Sequence, residues 1–402
     1  RPRVGPRGRD QAMTELELWA SSGAMALTGT AAGPPQLVAG APATTVREAM
    51  LALEVLADAN GLDPTRLPDH RLLGERAALM GLHRNGRSSA GGASRLIDTA
   101  DGVIALTLSR PDDIAAVPAL VERDVASDDP WRAVMKWAAS RNSNEVVERA
   151  TLLGLAIGAV DPSAEPNVIG PSRGLERPRR VGSARPIVVD LSSLWAGPLC
   201  AHLLGLMGAE VVHVESTRRP DPTRHVAPTF HRLLRGDREA VVLDFTNADE
   251  IARLRDLLLR ADIVIEASRP RALEQLGIDA ATIVAESGGC TWVSITAYGR
   301  AHNRIGYGDD VAAAAGLLGA GPVFASDAIA DPLTGCHAAV AALTSWAAGA
   351  SEIVDVAMYD VVRATRTAMP EAAVLRRDEE WFIDDGNLLI PVQAPAARQT
   401  TR

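Results

Sequence analysis

Lysine is almost missing: Lys136 is the only one among 41 Lys and Arg residues, so arginine supplies every other fixed positive side chain. Nothing physical requires arginine at solvated positions, and the bias reads as compositional rather than functional. Cysteine is scarce too. Cys200, Cys290 and Cys336 lie far apart, with no CxxC pair and no clustered histidines, which argues against a zinc site or a disulfide framework. Reduced, buried thiols of a cytoplasmic protein are the expectation. A basic surface is also lacking: the formal net charge of −9 excludes a general nucleic-acid binder. The first ten residues are Arg-rich but hold no apolar stretch of the signal-peptide kind, and 1–13 is expected to be disordered. Residues 332–351 carry no formal charge. They are mostly Ala, Gly, Ser and Thr, contain His337 and have no basic flank, which predicts a buried helix and no membrane span.

Common cofactor and nucleophile motifs are missing as well. The turn after the first strand of the second half runs from Asp190 to Pro198 through Ser192, Ser193, Leu194 and Trp195, with no GxGxxG fingerprint for NAD or FAD. There is no GxSxG elbow and no GxxxxGK[ST] phosphate loop.

What is present is a chain of 402 residues, 47% hydrophobic and 23% charged, long enough for two or three globular domains. Residues 161–186 contain Pro162, Pro166, Pro171, Pro178 and Pro186 interspersed with glycines and arginines, a density that blocks helix and sheet and predicts a linker. After it, short β-branched runs (187–189, 211–214, 241–243, 263–265, 292–295) alternate with helical patterns. One of these helices begins at Gly197-Pro198, and another is capped by Asn247 with Glu250 three residues on. Two-sided apolar strands between amphipathic helices predict an α/β fold, a Rossmann-like parallel sheet with helices on both faces over 187–402. In the first half, helical patterns at 46–56, 72–82, 130–140 and 144–155 and a strand pattern at 101–108 predict a smaller α+β domain within 14–160.

An ordered set of short segments then stands out in the second half. It comprises Val188-Val189-Asp190-Leu191-Ser192 with Ala196-Gly197-Pro198, the run from Gly208 to Glu215, and Val242-Leu243-Asp244. It continues with Ala261 to Glu266 and Arg269-Pro270, Leu276-Gly277, and Ala330-Asp331-Pro332-Leu333-Thr334-Gly335. In order and spacing this set resembles the family III CoA-transferases, the group of formyl-CoA transferase, carnitine CoA-transferase and α-methylacyl-CoA racemase. The first half resembles the family out of order. Residues 19–29 look like a second copy of 311–321, and 101–111 with 131–160 look like the small domain that normally follows the catalytic loop. In that first, degenerate copy Thr44 or Thr45 falls where the catalytic aspartate would be.

The resemblance implies an enzyme that moves CoA from an acyl-CoA donor to a carboxylic acid acceptor, with Asp331 as nucleophile, through an aspartyl anhydride and an aspartyl-CoA thioester. A carboxylate suits this work because it is ionised at neutral pH without an activating base. Ala330, Thr334 and Gly335 are small enough to admit the thioester. The competing structural role for Asp331 is to cap the helix that begins near Pro332. CoA is the substrate, and no permanently bound cofactor is expected. Its phosphates need a local basic site, and the Arg-rich segment 217–238 provides Arg218, Arg219 and Arg238. The resemblance also brings Trp195, Ala267 and Ser268 to the CoA site. They depart from the family's usual residues there, as Gln275 does where an arginine is common. The segment Tyr307-Gly308-Asp309-Asp310 lacks the histidine that the family's racemases use, which ranks racemisation third. A non-catalytic CoA-binding paralogue, or a partner subunit of an intact transferase, is the second reading. Family members form interlocked dimers, so a homodimer or a heteromer with a related transferase is expected.

Overall fold

The β-branched runs of the second half become the strands of one sheet. The computed structural model describes residues 13–125, 129–161, 175–176, 185–236, 240–268 and 270–398. Six strands lie parallel: Val241–Leu243, Glu210–Ser216, Ile187–Asp190, Ile263–Glu266, Thr291–Thr296 and Ala350–Ala357, in that spatial order. Numbered by sequence, the order is 3-2-1-4-5-6, that of a doubly wound dinucleotide-type sheet, with its topological switch between the first and fourth strands. The short strand Leu175–Glu176 adds antiparallel at the far edge. It is the only part of 162–184 that is described; the rest of the expected linker, and residues 1–12, lie outside the described residues.

Alternate residues of each strand serve opposite faces, and both faces are apolar. Val188, Ile263, Ile265, Val293 and Ile295 meet the helices Ala196–Leu206 and Ala330–Ala347. Val189, Val264 and Trp292 meet Leu254 and Leu258 of the helix Ala248–Arg260 and Ile283 and Val284 of the helix Ala280–Glu286. The expected α/β layering is therefore what the chain adopts. The uncharged run 332–351 is spent on one buried helix and the start of the sixth parallel strand. Among the described residues no helix is long and apolar enough to cross a membrane.

Two helix starts differ from expectation. The helix Ala196–Leu206 begins two residues before Pro198, which is its third residue. At Asn247 the side chain accepts from the N–H of Asp249, as a cap should. The Glu250 carboxylate, however, takes the N–H of Asp244 rather than reaching back to Asn247.

The first half splits between two packing partners. The helices Glu15–Ser21, Pro42–Ala59 and Leu72–Met80 place Leu18, Trp19, Val46, Met50, Leu53, Leu72 and Leu73 in the same core as Leu199, Ile329, Leu333 and Leu343. Strands Ser94–Asp98, Val103–Thr107 and Ala156–Ala159 form an antiparallel sheet. One face of it packs on the helices Pro130–Ala138 and Ser143–Leu152 through Ile104, Leu106, Val134, Trp137, Val146 and Ile157. The other, with Leu96 and Ala105, lies on Ala313 of the helix Gly308–Ala314. Gly158 permits that approach: a Cβ there would sit 2.4 Å from the Ala314 methyl. A small antiparallel sheet of Ala373–Arg377, Glu380–Asp384 and Leu389–Pro391 precedes the C-terminus.

Candidate active site

A pocket of about 230 Å³ opens at the carboxyl ends of four neighbouring strands, where doubly wound sheets place their ligands. Ser193, Leu194, Ala196 and Gly197 follow the first strand, Ala267 and Ser268 the fourth; Ile295 to Ala297 end the fifth and Met358 follows the sixth. The switch point thus forms one wall. The loop from His302 to Tyr307, with Arg110 from the smaller sheet's domain, forms the other, and Asp331 lies between them.

The first turn is built by its polar residues. Asp190 accepts the N–H and hydroxyl of Ser192, and Arg235 reaches both the Asp190 carboxylate and the Ser192 carbonyl. Gly197 is needed here, since a Cβ would meet the Ser192 hydroxyl at 2.2 Å. Leu194 takes a left-handed φ of +71°, with its N–H facing the Asp221 carboxylate.

Asp331 is the second residue of the helix Ala330–Ala347, and no side chain makes a capping bond at that N-terminus. The capping role is therefore not what the geometry shows. The Asp331 carboxylate instead receives the backbone N–H of Gly308, and both this contact and the helix dipole favour its charged form. Gly308 has to be glycine: a Cβ would lie 2.3 Å from the Ala328 carbonyl and 2.3 Å from Asp331 Oδ2. The loop leading into the helix is held tightly. Ser326 donates its N–H to Thr28 Oγ1 (2.9 Å), and Arg76 grips Asp327 with Nε and Nη2 (both 2.9 Å). Ala328 donates its N–H to Asp309 Oδ1 (2.8 Å). Arg76 also lies over the Trp195 ring, 5.2 Å from its centroid.

Burial raises the Asp331 pKa to about 7. Arg76 opposes the rise, the Asp309 and Asp327 carboxylates add to it, and the Gly308 N–H opposes it. Part of Asp331 is exposed to the pocket, so water there offsets some of the burial penalty. Burial thus works against the ready ionisation expected of an exposed carboxylate. Asp309 is pushed up by burial, as is Asp327, to about 6, and Asp310, to about 7.

The other expected site residues divide. Ala267 and Ser268 line the pocket, and the Ser268 hydroxyl donates to Glu266. Trp195 is buried, edge-on to Phe230 at 5.2 Å, and only its neighbours Leu194 and Ala196 reach the pocket. Arg218 and Arg219 are on the surface away from the pocket lining, Arg218 with its guanidinium on Thr246 Oγ1 and 3.9 Å from Asp244. Arg238 lies outside the described residues. Within the same Arg-rich segment, Arg224 is tied to Glu215 and Arg235 to Asp190, so two of its charges are neutralised internally. Ala330, Thr334 and Gly335 do not border the pocket. Gly335 lets two helices touch, since a Cβ would come within 2.7 Å of the Ala196 carbonyl, and the Thr334 hydroxyl donates to the Ala330 carbonyl. Sequence reasoning missed Arg76, Thr28 and Arg110, because the motif set that identifies Asp331 does not extend to them. Asp309 and Asp310 were visible only as a place without histidine. Among the described residues no group of three or more His, Cys, Asp or Glu side chains is arranged to hold a metal ion.

Residues 186–380 match the family model for CoA-transferase family III. An acyl-CoA transferase of Fusarium pseudograminearum is 27% identical over 43% of this chain and 44% of its own length. The succinyl-CoA–D-citramalate CoA-transferase of Chloroflexus aurantiacus is 26% identical over 48% and 52%. This chain spans about half the length of the curated relatives it matches. A solved structure of a hypothetical protein from Mycobacterium tuberculosis is 25% identical, covering 52% of this chain and 65% of that one at a TM-score of 0.44. The ordered motifs, the strand order and the family match coincide on one stretch of chain: residues 186–380 are similar to CoA-transferase family III.

Proposed function

We propose that the chain transfers CoA between carboxylic acids with Asp331 as the nucleophile. The observation that carries this reading is the position of Asp331, at a helix N-terminus beside the switch-point pocket of a family III segment. In the reaction, an Asp331 oxygen attacks the thioester carbonyl of the donor acyl-CoA, the C–S bond breaks, and CoA leaves as thiolate. The thiolate attacks the aspartyl carbonyl of the mixed anhydride, releasing the donor acid and leaving an aspartyl-CoA thioester. The acceptor carboxylate attacks that thioester and expels the thiolate, which then takes the acyl group from the new anhydride and frees Asp331. Charge is conserved at each step, one carboxylate or thiolate replacing another, so no general base is required once Asp331 is ionised.

Both intermediates are prone to hydrolysis, and Leu194, Ile295, Ile305 and Met358 make part of the lining apolar. On the opposite wall Arg110, His302 and Arg304 suit an acceptor carboxylate. Arg304 is braced over the Tyr298 ring at 3.7 Å and donates to the Ile157 carbonyl, 2.8 Å away. Ala267 and Ser268 would meet the thioester end of CoA, and the exposed Arg218 and Arg219, with Arg238, its phosphates. Assembly as a homodimer or with a related transferase belongs to the same reading. One Chloroflexus aurantiacus relative carries the name succinyl-CoA–L-malate CoA-transferase alpha subunit.

Replacing Asp331 by Ala should abolish exchange of CoA between acids, leaving thermal stability and CoA affinity near those of the parent chain. A folded Asp331→Ala protein that still turns over would remove Asp331 from the mechanism.

A further inference from the structure

The loop that carries Asp331 adopts a shape that it does not favour by itself. Ser326 and Ala328, neither of them glycine, sit at left-handed φ of +57° and +43° on either side of Asp327. Two of the three polar ties that hold it, Thr28 on Ser326 and Arg76 on Asp327, come from the first half of the chain. Arg76 reaches across 251 positions of sequence. Its partner Asp327 is fully buried and Arg76 itself is only 23% exposed, so the pair acts in a low-dielectric setting where a charge is felt strongly.

We propose that Arg76 is a positioning residue for Asp331: its two-pronged grip on Asp327 fixes the strained loop that presents the Asp331 carboxyl, and its buried positive charge favours the carboxylate over the acid. The inference rests on Asp331 being the nucleophile, and it gives the first half of the chain a direct part in the chemistry. The charged and titratable groups around Asp331 are few. The charges felt at Asp331 are those of Arg76 on the helix Leu72–Met80, Asp309 on the helix Gly308–Ala314 and Asp327 on its own loop. Arg110, His302, Arg304 and Tyr307 stand around the pocket, where solvent screens them more.

Opposite shifts follow from the two ends of the pair. Arg76→Met removes the opposing positive charge, so Asp331 should hold its proton to higher pH. Asp327→Asn removes a like charge, so Asp331 should ionise at lower pH. Arg76→Lys keeps the charge but loses the fork. It should leave the titration near that of the parent chain while lowering kcat, with KM for acyl-CoA little changed.

The measurement is the titration of the Asp331 side-chain carboxyl by carbon-13 NMR in the full-length, substrate-free protein, assigned by its loss in Asp331→Asn. The expected result is a midpoint raised by about one pH unit or more in Arg76→Met and lowered in Asp327→Asn, the scale of a single close charge. The acid limb of kcat/KM should move in the same directions. In Arg76→Ala, added guanidinium should restore part of the lost rate. An Asp331 midpoint that does not move in either folded variant overturns the inference, leaving Arg76 as a structural tie only. Should Arg76→Met fail to fold, Arg76→Gln takes its place, and an unmoved midpoint there overturns the inference in the same way. The titration needs no turnover, so an inert parent chain sinks the transfer reading and an unmoved midpoint sinks this one.

Discussion

Asp310 adjoins Asp309 in sequence but faces the smaller sheet instead of the loop that leads to Asp331. One carboxyl oxygen accepts the Thr107 hydroxyl at 2.8 Å and the Tyr307 N–H at 2.9 Å, while the other is buried with no hydrogen-bond partner. Burial dominates these contacts and the neighbouring Asp309 charge adds to it, so the Asp310 pKa rises to about 7. A folded-state pKa raised above the unfolded value means that the protonated form stabilises the fold. That contribution is fully present below about pH 4 and is lost as pH rises through about 7. Asp310→Asn keeps the accepting oxygen and cannot ionise. Thermal melts should show it level with the parent chain near pH 4 and more stable near pH 8. An equal difference at both pH values would mean that Asp310 does not titrate in this window.

At the scale of elements, strands and helices were legible where one physical signal dominated. Short β-branched runs marked five of the six parallel strands, because strands buried on both faces have little room for polar residues. The sixth, Ala350–Ala357, was hidden: Ser351, Glu352 and Asp355 interrupt its apolar positions, as suits a strand near the sheet edge. The C-terminal antiparallel sheet was missed for a similar reason, with Arg376, Arg377, Glu379 and Glu380 crowding its first hairpin. The Arg-rich segment shows the limit of counting charges. Arg235 is nearly buried against Asp190, a pairing across 45 positions that composition does not reveal. Gly335 was visible as a small residue, yet its use lies in helix packing: a Cβ there would be 2.7 Å from the Ala196 carbonyl and 3.0 Å from the Leu199 side chain. Gly335→Val should therefore force apart the helices Ala196–Leu206 and Ala330–Ala347, at a cost of about 1–3 kcal/mol. Urea denaturation checks this. An unchanged midpoint would show that the helix pair yields without strain.

For the whole molecule, the main consequence is that one site draws on both halves of the chain. The second half contributes the sheet, the switch-point wall and Asp331. The first contributes Arg76, Thr28 and Arg110, together with helices that share a core with Ile329 and Leu333 beside Asp331. Asp331 was legible because its surroundings in sequence resemble a family's ordered motifs. The charged residues that surround it in the fold were not, because electrostatic partners across a fold leave no local pattern. Helix Pro42–Ala59 holds Thr44 and Thr45, where the first-half resemblance would put the counterpart of Asp331. Its first turn, where Thr44 sits, donates the N–H groups of Ala43 and Thr44 to the Glu15 carboxylate, and that helix start carries no aspartate of its own.

Mass spectrometry of the full-length protein after brief incubation with an acyl-CoA tests the nucleophile most directly. The peptide containing Asp331 should gain the mass of CoA less one water, and the gain should vanish in Asp331→Asn. It should also be absent from a 185–402 fragment, which lacks Arg76, and return when residues 1–160 are supplied. A CoA adduct on another residue, or none on a folded full-length chain that binds acyl-CoA, would contradict the assignment of Asp331 as the nucleophile.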